Sequence, residues 1–141
     1  MIAQYLWILG SFIFLLLGTA HLRITFLGKK LFPKSEATEV EMKNTHPRLT
    51  KDTTMWKAWI GFNASYSAGA MFFGIVNIVL ASQYFSILQN SLFLLFINIL
   101  FVGFFLFLGK AYWFRVPFIG ILITLICFVC SVLLIEFRVS I

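Results

Sequence analysis

"SLFLLFINILFVGFFLFLG", residues 91 to 109, carries no charge and a single amide, Asn98. Its residues do not alternate between apolar and polar, as lipid-facing β-barrel strands must. Hydrocarbon offers no water to backbone N–H and C=O groups, so a stretch of this kind crosses a bilayer as a helix, which satisfies its backbone internally. About 20 apolar residues are needed to cover ~30 Å of hydrocarbon, and working outward from this run the chain provides four such segments: about 2–22, 55–81, 87–108 and 116–134.

The composition agrees. Of 141 residues, 61% are hydrophobic, 18% aromatic and 11% charged, with a mean hydropathy of +0.97. Soluble domains carry roughly 25% charged residues, so a water-facing surface is not available from this chain. The expectation is an all-α, four-helix transmembrane bundle of up-down topology, a single domain over 1–141. Gly18 and Ala20 resemble a small-residue cleavage site, but no Lys or Arg precedes the first apolar run, so that run is expected to be retained as a membrane helix.

The charges fall in the connectors. Between Arg23 and Lys57 lie eight basic side chains against four acidic ones; the third connector adds Lys110 and Arg115, and the second, "SQYFSILQNS", has none. In an up-down bundle connectors one and three share a side, and the positive-inside rule then makes 23–54 and 109–115 cytoplasmic, with both termini outside, as in a bacterial inner membrane. Trp56, Trp59, Tyr112 and Trp113 fall where an interfacial aromatic belt would sit. The net charge of +6 is thereby explained as topology, which argues against nucleic acid as a partner. Attraction to anionic lipid is its secondary consequence.

Within the basic loop, Ser35 can cap a short helix over about 36–43. Glu36 and Glu39 suit its first turn, Lys43 its last, and Asn44 and Pro47 its end. Thr50 or Asp52 is the expected cap of the second membrane helix.

"WIGFNASYSAGAMFFGIVN", residues 59 to 77, keeps several polar groups in an apolar run. Asn63, Ser67, Ala70, Gly74 and Asn77 are spaced 4, 3, 4 and 3, which puts them on one helix face. Ser11, Phe14, Gly18, His21 and Thr25 repeat the pattern on the first helix, and Pro117, Gly120, Thr124, Cys127 and Ser131 on the fourth. Lipid tails are as apolar as Leu, so membrane helices associate by close packing and interhelical hydrogen bonds. Gly18, Gly74, Asn77, Gly120 and Thr124 are accordingly assigned to helix packing.

Polar groups in hydrocarbon also line sites. His21 lies near the cytoplasmic end of the first helix, and Asn63 about two turns, ~12 Å, into the second. The helices run oppositely, so these depths are compatible. Tyr66 and Ser67 would complete a polar pocket, and Arg23 and Lys57 would hold an anionic group. No residue is assigned as catalytic, but His21 and Asn63 are the candidates for acid/base work and for orienting a polar head.

Other chemistries find less support. "CFVC", Cys127 to Cys130, invites comparison with membrane thiol oxidoreductases of the vitamin K epoxide reductase type, which resemble this chain in helix count only. An apolar helix interior, however, supplies neither the positive charge nor the helix N-terminus that activates a thiol. A small multidrug-resistance exporter needs a membrane-buried carboxylate, and every acid but Glu136 lies in the first loop. Glutathione-handling microsomal enzymes share the outline, but their Arg, Asn and Glu on the second helix are matched here only by Lys57 and Asn63, at a different spacing and without the carboxylate. No cofactor is predicted; haem or metal on His21 and His46 is disfavoured by the small donor set.

"GTAHLRITFLGKKLFP", with Gly18 and His21, and "TMWKAWIGFNASYSAGAMFFG", with Trp56, Gly61, Asn63, Ser65 and Gly69, cover roughly the first half of the chain. In these stretches it resembles the small, uncharacterised four-helix bacterial integral membrane proteins of DoxX-like layout. That resemblance implies architecture and no reaction. The expected role is a non-catalytic binding or accessory subunit that handles a lipid or isoprenoid, or joins a homo-oligomer or larger membrane complex. The alternative is a membrane-embedded enzyme acting on an amphiphile at the His21/Asn63 pocket.

Overall fold

The computed structural model describes residues 1–139, and side chains as far as 137. The described residues form six helices: α1 (Ile2–Leu27), α2 (Glu36–Asn44), α3 (Met55–Gln83), α4 (Phe85–Gln89), α5 (Leu92–Tyr112) and α6 (Arg115–Val139). Four of them, α1, α3, α5 and α6, are long and apolar enough to cross a membrane. The protein is an all-helical integral membrane protein with four spans. α3 has 29 residues, about 43 Å at 1.5 Å per residue, which exceeds the ~30 Å of hydrocarbon.

Several boundaries differ from those read from sequence; the third span runs on to Tyr112 and the fourth to Val139, past the expected 108 and 134, so that Lys110 stands on a helix and not in the connector. α1 continues past residue 22 to Leu27, so Arg23 stands on a helix rather than in the loop. The third span begins at Leu92 rather than 87, because Ser91 accepts a hydrogen bond from the Leu94 N–H and caps a new helix. Residues Phe85–Gln89 form the separate α4, whose Leu88 is buried. The cap of α3 is neither Thr50 nor Asp52, whose side chains bond each other; Thr54 Oγ1 accepts the Lys57 N–H instead. The loop helix follows expectation, with Ser35 accepting from Thr38 N–H at its start. Glu39 and Lys43 pair across one of its turns at 2.6 Å.

The chain divides into two compact units. One comprises Met1–Leu17 and the described residues from Ala70 onward, and the other Gly18–Gly69. The first contains parts of all four spans, packed as an up-down bundle. α1 and α3 are antiparallel, since Gln4 Nε2 donates to the Ala81 carbonyl (2.8 Å) and Trp7 Nε1 to Asn77 Oδ1 (2.8 Å). α1 and α6 are antiparallel too, since Ser131 Oγ donates to the Ala3 carbonyl (2.7 Å) and Thr124 Oγ1 to the Gly10 carbonyl (3.1 Å).

These bonds sit on the small-and-polar faces. Ser11, Asn77, Thr124 and Ser131 are all buried, whereas Phe93, Phe96, Phe104 and Phe107 point outward. Polar groups are thus turned toward neighbouring helices and large apolar side chains cover the outside, as lipid requires. Glycines allow the close approach: a Cβ on Gly74 would stand 2.8 Å from Leu15 Cβ and 2.9 Å from the Ser11 carbonyl oxygen, and one on Gly120 2.8 Å from Leu17 Cδ1. Aromatic stacking fills the core, with the Trp7 and Phe128 rings parallel at 4.1 Å and Phe73 stacked on Phe101 at 4.4 Å. Gly18 is also buried, and Cys127 and Cys130 are free thiols, the first buried and the second exposed.

Candidate functional site

The second unit is a helical hairpin made of the last turns of α1, the connector with α2, and the first half of α3. The connector is tied down where α3 begins. The Met55 N–H donates to the Thr45 carbonyl (2.9 Å), His46 Nδ1 donates to the Thr53 carbonyl (2.6 Å), and Lys43 Nζ sits 5.2 Å over the Trp56 ring. Trp56 also meets Phe32 edge-on and stacks near Trp59. His46 is therefore a brace of the loop. Among the described residues there is no group of three or more His, Cys, Asp or Glu side chains able to hold a metal ion.

His21 and Asn63, on α1 and α3, meet side chain to side chain at 2.9 Å. The amide is oriented by its own helix: Asn63 Nδ2 donates to the Trp59 carbonyl one turn earlier (2.8 Å). Oδ1 is thereby turned to the imidazole, and since a carbonyl oxygen only accepts, His21 Nε2 carries the hydrogen and donates. In the neutral ring the lone pair then resides on Nδ1, for which no described residue supplies a hydrogen bond.

The surrounding groups are committed. Thr25 Oγ1 donates to the His21 carbonyl (2.9 Å), and Ser67 Oγ to the Asn63 carbonyl (2.8 Å). The Tyr66 ring packs edge-to-face on His21, with centroids 5.3 Å apart. Of the candidates, then, the structure gathers His21, Asn63, Tyr66 and Ser67. Ser67 turns to its own helix rather than to the imidazole. Arg23 and Lys57 are exposed and make no ion pair or side-chain hydrogen bond among the described residues.

The main omission from the sequence reading is Trp7, the partner of Asn77. Its signal was available, since Trp7 stands four residues before Ser11 and extends the stripe by one turn. Compared with protein families, curated proteins and solved structures, the chain matches none of them.

Proposed function

We propose that this protein is a non-catalytic binding or accessory subunit of a bacterial inner membrane, with both termini outside and connectors 23–54 and 109–115 cytoplasmic. It holds the polar head of a lipid or isoprenoid at the α1–α3 hairpin, within an assembly of its own copies or a larger membrane complex. One observation carries this reading. Asn63, Ser67 and Thr25 each donate to a backbone carbonyl, while Asn63 Oδ1 fixes the imidazole. His21 Nδ1 is thereby presented as an oriented hydrogen-bonding group in an apolar setting. Such a group anchors one hydroxyl or phosphate oxygen, and Arg23 and Lys57, exposed in the same hairpin, attract an anionic head to it.

A second reading draws on the same geometry. An imidazole held in one tautomer is also what a general base requires, so an enzyme acting on an amphiphile is the alternative. Native mass spectrometry of the gently extracted protein tests both. The binding reading expects a retained amphiphile whose occupancy falls several-fold in His21→Ala. A wild-type protein that emerges bare, or equal occupancy in the variant, refutes it. Chemical conversion of the retained molecule by wild type and not by His21→Ala selects the enzyme.

A further inference from the structure

Where α5 turns into α6, Gly109, Lys110, Trp113, Phe114, Arg115 and Phe118 line an open cleft of about 240 Å³. Its walls are apolar, and the charge comes from Lys110 and Arg115. Both are exposed, and neither pairs with an acid among the described residues. The one acid outside the first connector is Glu136, near the other end of α6. Trp113 caps α5 through its N–H to the Gly109 carbonyl and leans edge-on toward Phe105 in the core, which holds the cleft's wall in place.

Size and position narrow the occupant. Pockets that engulf a drug-sized ligand run to roughly 300–1,000 Å³, so this cleft suits a head group with its first methylenes and not a whole amphiphile. It opens where two spans meet their connector, which is headgroup depth. Further along α5 and α6, Phe107, Ile119 and Ile123 are exposed apolar side chains that acyl chains can meet. Two unpaired cations over an apolar floor complement a phosphodiester with net negative charge, whereas a zwitterionic head brings its own cation. We propose that the α5–α6 turn is a binding site for the head group of an anionic phospholipid, with Lys110 and Arg115 holding the phosphate.

The test uses the full chain in mixed micelles containing phosphatidylglycerol and phosphatidylcholine of identical acyl chains, with retained lipid read by native mass spectrometry. A basic residue at the headgroup layer is worth about fivefold in partitioning, so the pair gives a preference for phosphatidylglycerol of up to about 25-fold. Lys110→Gln with Arg115→Gln should abolish most of that preference. Lys29→Gln with Lys30→Gln, which removes the same charge from the first connector, should leave it largely in place. Lys110→Arg with Arg115→Lys keeps the charge and should keep the preference, so a loss there, in a protein of unchanged helicity, overturns the proposal. So does an unchanged preference in the double glutamine variant, or an equal loss in the Lys29/Lys30 variant, which would reduce the effect to overall charge. Displacement of the lipid by millimolar glycerol phosphate would reassign the cleft to a soluble phosphate and likewise overturn it.

Discussion

Replacing Gly74 by Ala should destabilise the bundle, although the same substitution stabilises an unconstrained helix. A Cβ built at Gly74 lies 2.8 Å from Leu15 Cβ, 2.9 Å from the Ser11 carbonyl oxygen and 3.0 Å from Leu15 Cα. Ordinary contact begins at 3.4 Å, so the new methyl is 0.6 Å too close. Two of the three atoms it meets are backbone, which cannot rotate away; α1 and α3 must separate, and the neighbouring Trp7–Asn77 bond stretches with them. Overpacking of this sort costs about 1–3 kcal/mol, offset by about 1 kcal/mol of helix propensity gained on losing a glycine. Gly103, on α5, is the matched control, since a Cβ there meets nothing within 4 Å. Gly103→Ala collects the propensity gain alone. The two variants should therefore differ by about 2 kcal/mol in opposite directions from wild type, measured by reversible unfolding in mixed micelles with increasing denaturing detergent. A Gly74→Ala protein as stable as Gly103→Ala would show that α1 and α3 do not approach as closely as described.

Asn77→Leu should cost about 1–2 kcal/mol in the same assay, because it leaves the buried Trp7 N–H without its acceptor; adding Trp7→Phe should return part of that loss, and strictly additive variants would contradict the bond. Ser131→Ala should cost only about 0.5 kcal/mol, since it removes a single donor to the Ala3 carbonyl; a cost equal to that of Asn77→Leu would count against the distinction. Thr124→Val keeps the shape but loses the bonds to the Gly10 and Gly120 carbonyls, and should cost under about 1 kcal/mol, with Thr124→Ser close to neutral. Ser35→Ala should loosen α2 by about 0.5–1 kcal/mol, read as faster amide exchange within 36–44 without change in the four spans. Uniform exchange in both proteins would remove the capping role.

What could be read from sequence was whatever depends on period and solvation. Asn63, Ser67, Gly74 and Asn77 declare their shared face by spacing alone, and Ser67, Gly74 and Asn77 are buried. His21 and Asn63 stood at compatible depths in sequence, and the extension of α1 to Leu27 sets His21 about as far inside its helix as Asn63 lies inside α3, which lets them meet. Other features depend on competition between local signals, which composition does not resolve. Arg23 marks where the chain becomes polar, but α1 has no reason to end there, and it runs on through Ile24 to Leu27. Ile87 and Leu88 are as apolar as any residue of a span, yet Ser91 captures the Leu94 N–H and starts the span after them. Thr50, Asp52 and Thr54 are all competent caps, and the path of the connector, pinned by Met55 N–H to the Thr45 carbonyl, selects Thr54. Lys110, Trp113 and Arg115 are neighbours in sequence whether or not a cleft lies between them, and only the fold of the α5–α6 turn shows that one does.

The bonds between spans are of two kinds, and the difference bears on how such a bundle tolerates change. Gln4, Thr124 and Ser131 donate to backbone carbonyls of a neighbouring helix. A carbonyl oxygen has two lone pairs and accepts without any matching side chain. Gly10 and Ala3, the acceptors of Thr124 and Ser131, lie inside α1, so loss of either donor leaves the carbonyl its partner along the helix; Ala81 lies in the last turn of α3, where carbonyls have no such partner, and Gln4 satisfies it. Trp7 with Asn77 is different, since each partner depends on the other, and mutating the amide strands an indole N–H where neither water nor lipid can replace its acceptor. His21 with Asn63 is built in the same two-sided way in the hairpin, with the amide pre-set by Trp59. A one-sided bond to a carbonyl would have glued α1 to α3 there as well as it does in the rest of the chain. Using an imidazole and an amide costs more desolvation, and its distinctive product is an oriented ring nitrogen, which is why the hairpin and not the bundle core is the place to look for a ligand.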